Sequence, residues 1–280
     1  MLEALHATIS PDADQLVELN PDHPGFRDSI YRARRNAIAK LALEHREGTP
    51  PPDVAYTDVE NEVWRSVWEH LTPLHAARAV REWRAAAARL DLDRNRVPQL
   101  AEVNELTKHP GMEMYPVAGL IAAQQFLTAL GRGVFRSTQY MRHHSMPLYT
   151  PEPDVIHELV GHATSFLAPE IVQLSRSFGE AALRAAPATQ VQLERLYWYT
   201  LEFGVALEDG DIKAYGAGLL SSYGELGGLT DPGPRAQLLP FDLEVMAQTP
   251  YDPTDYQKFL FVAPSFGEMV RRLDAWLAAV

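Results

Sequence analysis

Two histidines five positions apart limit the folds open to this chain more than any other feature. His157 and His162 begin and end a short segment, and Glu202 follows 40 residues after His162 in an aromatic-rich stretch. Two imidazoles and one carboxylate are the ligand set of a mononuclear iron(II) site that keeps positions open for oxygen and substrate. A fold that uses them in this way must bring the three side chains together.

The spacing of the histidines leaves other interpretations open. On an ideal α-helix, residues five apart point about 140° away from each other, so the helix must end or distort for both rings to reach one ion. Gly161 gives room for such a distortion. Zinc proteases instead place two histidines four residues apart with a glutamate between them. The remaining alternative is that His157 and His162 are ordinary surface or core residues and that Glu202 is salt-bridged or solvent-facing.

Helical signals dominate the rest of the chain. Apolar residues recur at helical spacing from 27 to 46. Thr57 and Glu60 form a capping-box pattern ahead of a second apolar series, and Ser265 with Glu268 repeats this pattern near the C-terminus. These signals predict a mainly α-helical fold.

The chain has weaker signals for other elements and for its domain organisation. Thr189 with Gln192 predicts the start of the helix that carries the acidic candidate ligand. Residues 213–220 are the best strand candidate, and their glycines indicate a bend near a site. We therefore predict an N-terminal arm over 1–21 and a single catalytic domain over 22–280 with a short β element.

The composition excludes several classes of function. The formal net charge of −12 argues against a nucleic-acid partner and against an anionic membrane surface. Because the chain has no cysteine, it has neither disulfides nor thiolate metal ligands. The first residues lack the basic and apolar pattern of a signal peptide, and no run reaches the roughly twenty apolar residues of a membrane span. We therefore expect a cytoplasmic protein.

Taken together, ordered segments of the chain resemble the pterin-dependent aromatic amino acid hydroxylases. The similarity extends from about residue 22 to the C-terminus, and the densest match runs from Tyr149 to Asp154 and on through His162. The other matching segments, in family order, are 23–26, 31–35, 97–100, 116–120, 138–143, 197–204 and 213–225. The resemblance implies the fold of that family, a largely α-helical catalytic domain with a short β element.

The resemblance implies two cofactors, Fe(II) and a tetrahydropterin, either tetrahydrobiopterin or a related pterin. In the family, the positions of His157, His162 and Glu202 bind the iron. The positions that bind the pterin are matched here by Val117, Gly119, Leu120, Phe126 and Glu158. Two nearby family positions that are usually small and polar are Ala122 and Ala123 here, so a hydroxyl contact to the pterin is expected to be missing.

The resemblance also assigns residues to an amino acid substrate. Arg142 matches the residue that clamps the substrate carboxylate, a task that suits the two parallel donors of a guanidinium. Thr150 and Ser221 match positions that hydrogen-bond the amino acid head group. Trp198 matches a residue that walls the substrate ring, and Pro153 lies near the same slot.

These matches imply a monooxygenase that hydroxylates the ring of L-phenylalanine to L-tyrosine with O2. Trp198 favours a single-ring substrate, since tryptophan hydroxylases tend to have phenylalanine there, and Tyr149 with Thr150 is the phenylalanine-type pair. The segment 250–254 matches no substrate class cleanly. Hydroxylation of tyrosine or tryptophan, and meta-hydroxylation of phenylalanine, are therefore alternatives. A zinc hydrolase and a non-catalytic binder are more distant ones.

We also expect the protein to be unregulated and to be a monomer, or at most a weak dimer. The sequence lacks both the N-terminal regulatory domain and the C-terminal tetramerisation helix of animal relatives. Its expected partners are small molecules alone, namely the aromatic amino acid, O2 and the pterin.

Overall fold

The computed structural model describes residues 8–9, 16–229, 236–253 and 255–280. Within them, helices form most of the regular structure, as predicted. The α-helices are α1 (Ser29–Glu44), α2 (Asp58–Arg78), α3 (Arg81–Leu90), α4 (Leu100–Thr107), α5 (Ala123–Gly131), α6 (Pro169–Arg184), α7 (Pro187–Tyr197), α8 (Ala217–Leu220), α9 (Tyr223–Gly228), α10 (Leu243–Gln248) and α11 (Phe266–Ala279). In the described part of the chain, no helix has the length and apolar character needed to cross a membrane.

The strands are short and belong to separate small sheets. They are β1 (Thr8–Ile9), β2 (Val17–Glu18), β3 (Glu113–Pro116), β4 (Val134–Ser137), β5 (Val205–Glu208), β6 (Asp211–Ala214), β7 (Gln237–Pro240) and β8 (Phe259–Ala263). β1 pairs antiparallel with β2, and β3 pairs parallel with β4. The largest sheet among the described residues has the strand order β6-β5-β8-β7. The predicted arm over 1–21 lies largely outside the described residues.

Two of the three capping pairs predicted from the sequence are confirmed. The Thr57 side chain accepts a hydrogen bond from the backbone N–H of Glu60. The Glu60 side chain in turn accepts from the backbone N–H of Thr57, which completes the capping box of α2. Ser265 accepts from the backbone N–H of Glu268 at 3.1 Å and begins α11. These pairs are predictable because a cap depends only on residues within one turn.

The predicted cap at Thr189 is wrong. The helix α7 begins at Pro187, and Ala186 occupies the cap position. Proline suits the first helical position because its φ is already helical and its missing N–H would have no partner there. Thr189 therefore lies inside the helix.

The predicted strand over 213–220 is also wrong in its second half. The strand β6 ends at Ala214, and the chain then turns into the short helix α8. At Gly216 an added Cβ would lie 2.4 Å from the carbonyl oxygen of Glu202, so the turn packs directly on the second candidate ligand segment. The bend inferred from the glycines is present, but it ends the strand.

The segments that carry the candidate ligands are π-helical and lie in the core. These are π1 (His157–Ala163) and π2 (Trp198–Glu202). The core cluster that surrounds them extends from Val63 in α2 to Leu277 in α11. Gly161 lets π1 approach α8 closely, since an added Cβ would lie 2.6 Å from the carbonyl oxygen of Ala217. Packing against the surrounding core therefore holds both π1 and π2 in place.

Candidate metal centre

The π-helical form of π1 brings the two histidines together. In a π-helix the backbone hydrogen bonds join residues five apart, so side chains at that spacing share one face. The Nε2 atoms of His157 and His162 lie 3.0 Å apart, and the two rings meet at 82°. The helix distortion that the five-residue spacing requires is therefore present, because the segment is π-helical from His157 through His162.

Glu202, the last residue of π2, completes the cluster. Its Oε1 lies 2.9 Å from Nε2 of His162, and its Oε2 lies 3.5 Å from Nε2 of His157. The three side chains are nearly buried, with exposed fractions of 14% for His157, 4% for His162 and 12% for Glu202. Burying a carboxylate is costly unless it has a partner, and Glu202 has its partners in the two imidazoles.

The spacing of these atoms fits one bound metal ion. Ligand atoms about 2.1 Å from an octahedral ion lie about 3 Å apart when they are neighbours on its coordination sphere. The separations of 2.9 to 3.5 Å among the two Nε2 atoms and the Glu202 oxygens match this value. Two imidazoles and one carboxylate on one face of an ion are the donor set that non-haem iron(II) takes, with the opposite face open.

A hydrogen bond to Ser221 sets the tautomer of His157. Nδ1 of His157 lies 2.9 Å from Oγ of Ser221, and that hydroxyl donates its own hydrogen to the carbonyl oxygen of Ala217 at 2.7 Å. The hydroxyl can therefore only accept from His157, so the ring proton lies on Nδ1. The lone pair of a neutral ring is then on Nε2 and faces the cluster.

The electrostatics of the cluster keep His157 and Glu202 in the protonation states that bind a cation. Burial lowers the pKa of His157 to about 4, against the opposing attraction of Glu202, so the ring is neutral at physiological pH. Burial would raise the pKa of Glu202, but its contacts with His162 and His157 outweigh burial and lower it. For His162, burial lowers the pKa while the Glu202 carboxylate raises it by more. An ionised carboxylate and a neutral imidazole are both ready ligands.

Glu158 places a second carboxylate beside the centre. One of its oxygens lies within 4.8 Å of ligand nitrogens of both His157 and His162. Its Oε1 accepts hydrogen bonds from the backbone N–H and the hydroxyl of Thr138, at 3.0 and 2.9 Å. Burial raises the pKa of Glu158 to about 7, partly offset by His162 and Thr138.

The other residues matched to pterin positions lie on the segment between β3 and α5 and at the start of α5. Val117 donates its backbone N–H to the carbonyl oxygen of Ser137, and Leu120 is 40% exposed. Phe126 packs edge-on against Phe135, whose ring lies 4.5 Å from that of His162. Gly119 lies between Val117 and Leu120, and Ala122 is the cap residue of α5.

Arg142, the predicted carboxylate clamp, is held by a carboxylate of the chain itself. Its Nε and Nη2 donate to the two oxygens of Asp154 at 2.8 and 2.9 Å, and its backbone N–H donates to Oδ2. Asp154 also accepts from the backbone N–H of His157 at 3.2 Å. The ion pair with Asp154 therefore holds the Arg142 guanidinium near the start of π1. The sequence interpretation gave Asp154 no role, although an aspartate three residues before a helical histidine is a capping signal.

The remaining substrate-matched residues lie on the loop before π1 and at the end of α8. The hydroxyl of Thr150 donates to the carbonyl oxygen of Glu152 at 2.8 Å, and the carbonyl oxygen of Pro153 accepts from Thr138 at 3.3 Å. Ser221 contacts His157, as described above. These contacts order the loop that leads into π1.

Trp198 begins π2 and packs against Tyr251, which lies in the 250–254 segment that matched no substrate class cleanly. Its ring stacks on Tyr251 at 4.2 Å and 15°, and its Nε1 donates to Oε1 of Gln257 at 2.8 Å. The Tyr251 hydroxyl in turn donates to Glu194. Thr254, the last residue of the segment that matched no substrate class, lies outside the described residues.

Comparisons with known proteins agree with this geometry. The family model of the biopterin-dependent aromatic amino acid hydroxylases matches residues 6–280. Phenylalanine-4-hydroxylase of Caenorhabditis elegans is 42% identical over 94% of this chain and 58% of its own length. Tyrosine 3-monooxygenase of Homo sapiens is 40% identical over 94% of this chain and 50% of its own length. The chain thus spans about half the length of the curated relatives it matches.

Solved structures share the fold. Phenylalanine hydroxylase from Chromobacterium violaceum, with iron(III) and 7,8-dihydrobiopterin bound, superposes with a TM-score of 0.76 at 29% identity, over 86% of this chain and 90% of that one. The enzyme from Legionella pneumophila gives a TM-score of 0.74 at 28% identity, over 82% of this chain and 90% of that one. The predicted fold class is confirmed. With a family match over nearly its whole length, this chain belongs to the biopterin-dependent aromatic amino acid hydroxylases.

Proposed function

We propose that this chain is an iron(II)- and tetrahydropterin-dependent monooxygenase that hydroxylates L-phenylalanine to L-tyrosine with O2. The observation that carries the proposal is the convergence of His157, His162 and Glu202 within 2.9 to 3.5 Å of one another. Support also comes from the Chromobacterium violaceum enzyme, whose structure holds iron and dihydrobiopterin.

In this proposal the chain holds the iron on one face and keeps the other face open. His157, His162 and Glu202 would be the ligands, and Ser221 would keep the Nε2 lone pair of His157 directed at the ion. When bound, iron(II) and the reduced pterin supply the activation of O2. The protein's own work is to position the two organic molecules and to exclude water from the buried centre.

The pterin would lie against the segment after β3. The backbone of Val117, Gly119 and Leu120 offers hydrogen-bonding groups, and Phe126 offers a ring face. Glu158 would accept a hydrogen bond from the pterin edge, because Thr138 already orients its carboxylate beside the iron ligands. Support for this placement is that Glu158 lies within 4.8 Å of both histidine ligand atoms.

The amino acid would lie between Arg142 and Trp198. Asp154 occupies Nε and one hydrogen of Nη2, so Arg142 would bind the substrate carboxylate with the remaining hydrogens of its two terminal nitrogens. Thr150 and Ser221 would hydrogen-bond the head group, and Pro153 would line the ring slot. The Asp154 contact preorganises the guanidinium, which reduces the entropy lost on binding.

Phenylalanine is the preferred substrate in this proposal because of the aromatic wall. The ring of Trp198 stacks on Tyr251, and we infer that this bulky wall would leave less room for an indole than for a single ring. Tyr149 with Thr150 agrees with the phenylalanine-type pair. Tyrosine 3-hydroxylation is the second candidate, because tyrosine 3-monooxygenases of Drosophila melanogaster and Homo sapiens are 41% and 40% identical to this chain.

We further propose that residues 22–280 form one catalytic unit and that it works as a cytoplasmic monomer. The hydrophobic cluster that runs from Val63 to Leu277 supports one unit. Sedimentation of the purified protein tests the oligomeric state, and a stable tetramer would contradict it.

The function is tested by offering phenylalanine, tyrosine and tryptophan together and identifying products by mass spectrometry. We expect tyrosine as the main product, and only when iron(II), O2 and a tetrahydropterin are all present. His157→Ala should abolish turnover, while His109→Ala, at an exposed position, should not. Dihydroxyphenylalanine as the main product would favour the second candidate, and full turnover by His157→Ala would exclude the proposed centre.

A further inference from the structure

A second cluster of potential metal ligands lies at the amino end of α1. It consists of Asp28, His143 and His144, each of which offers one ligand atom, and these atoms all lie within 4.8 Å of one another. The two histidines begin the turn that follows Arg142, and Asp28 is the cap of α1. None of these residues belongs to the centre formed by His157.

The two carboxylate oxygens of Asp28 have different partners. Its Oδ1 accepts both capping hydrogen bonds, from the backbone N–H groups of Ile30 at 2.9 Å and Tyr31 at 3.0 Å. Its Oδ2 faces Nε2 of His143 at 3.3 Å. One oxygen is thus sufficient for the helix cap, and the other is directed at an imidazole at a separation close to that of neighbouring ligands on one ion.

His143 is held in a fixed orientation. Its Nδ1 lies 2.7 Å from Oγ of Ser145, and the edge of its ring packs on Tyr31 at a centroid distance of 4.9 Å. The backbone N–H of Ser145 also approaches Nδ1, at 3.3 Å, so Nδ1 is occupied and Nε2 is the nitrogen that faces Asp28.

His144 provides the exposed side of the cluster. Its ring lies 4.3 Å from that of His143 at an angle of 33°, and its side chain is exposed to solvent. The Asp28 side chain is 32% exposed, so an ion can enter from water without a change in the core.

We propose that Asp28, His143 and His144 form a second metal site that takes a divalent transition metal such as Zn²⁺. Imidazole nitrogens suit zinc, copper and nickel, whereas magnesium and calcium require mostly oxygen ligands, so the donor set selects the first group. Water completes the coordination. An ion bound there joins the amino end of α1 to the turn that follows Arg142.

The site is tested by equilibrium dialysis of the iron-loaded protein against Zn²⁺, with both metals measured by elemental analysis. We expect about one equivalent of zinc to bind while the iron content stays constant. His144→Asn and Asp28→Asn should each weaken zinc binding by at least about 10-fold. Asparagine is itself a good cap, so Asp28→Asn should keep α1 and the thermal stability intact.

The matched control is His109→Asn, which changes another exposed histidine without touching the cluster. It should leave both metal contents unchanged. Zinc uptake that occurs only as iron is lost would assign the zinc to the first centre and overturn the proposal. The absence of a second equivalent, or zinc binding that neither cluster variant weakens, would overturn it as well.

Discussion

The hydroxyl of Ser221 accepts a hydrogen bond from Nδ1 of His157 at 2.9 Å, across 64 residues of sequence. Its own hydrogen is committed to the carbonyl oxygen of Ala217. This relationship decides which nitrogen of His157 faces Glu202. A residue outside the candidate ligand set thereby orients one of the candidate ligands.

Ser221→Ala should therefore weaken iron binding by about 10- to 100-fold, the usual cost of losing a group that orients a histidine ligand. The measurement is iron affinity by competition with a chelator, together with the circular dichroism spectrum. Ser165→Ala is the matched control, because Ser165 is also buried and donates to the carbonyl oxygen of Gly161 without touching a ligand. Equal iron affinity in the two variants would contradict the role of Ser221.

Gly161→Ala should destabilise the protein by about 1–3 kcal/mol, because it overpacks the contact between π1 and α8. The added Cβ would lie 2.6 Å from the carbonyl oxygen of Ala217, which is backbone and cannot move aside cheaply. Urea unfolding measures the change. Gly267→Ala in α11 is the control, since its Cβ would meet nothing within 4 Å, and its stability should match or exceed that of the unaltered protein. Equal stability of both variants would argue against a tight π1–α8 contact.

His75 should make folding stability fall as the pH drops below about 6.5. Burial lowers its pKa from 6.5 to about 4 in the folded protein, while Nε2 donates to the carbonyl oxygen of Leu220. Between these two pKa values the unfolded chain binds a proton that the folded chain does not, so acid favours unfolding. The loss of stability caused by His75 is absent well above pH 6.5 and reaches its full size below the folded pKa of about 4.

His75→Gln keeps a donor for Leu220 but cannot titrate. Between about pH 7 and about pH 5 the free energy of unfolding should fall in both proteins. The fall should be smaller in His75→Gln than in the unaltered protein by about 2 kcal/mol. Urea unfolding at the two pH values gives the difference. Parallel losses in both proteins would show that His75 does not titrate in this range.

Trp198→Phe should widen the proposed substrate slot and shift preference toward tryptophan. The indole ring stacks on Tyr251 at 4.2 Å, so a smaller ring leaves space beside that residue. We expect the ratio of kcat/KM for tryptophan to that for phenylalanine to rise about 10-fold. Tyr251→Phe keeps the stacking and removes only the hydroxyl bound to Glu194, so this ratio should stay nearly constant. An unchanged ratio in Trp198→Phe would mean that this wall does not select the ring.

Local signals in the sequence were sufficient for parts of the fold. The caps at Thr57 and Ser265 were predictable because each depends on a residue three positions away. The cap at Thr189 failed because Pro187 is a stronger start signal two residues earlier. The strand over 213–220 failed because the chain must turn at Gly216 to pack on Glu202, a contact between distant segments.

The sequence by itself determined the types and order of the candidate ligands. The five-residue spacing of His157 and His162 already requires a distorted helix if both rings are to meet one ion. Neither fact depends on packing, since both follow from the chain's chemistry and from helix geometry.

Only the tertiary structure decided how these ligands are held. The contacts of Arg142 with Asp154, of His157 with Ser221 and of Trp198 with Tyr251 join segments whose pairing no local pattern encodes. The close approach of π1 to α8 adds a steric requirement. Hydrogen bonds and stacked rings need positions fixed to within a few tenths of an ångström. That precision comes from the packed core around the centre.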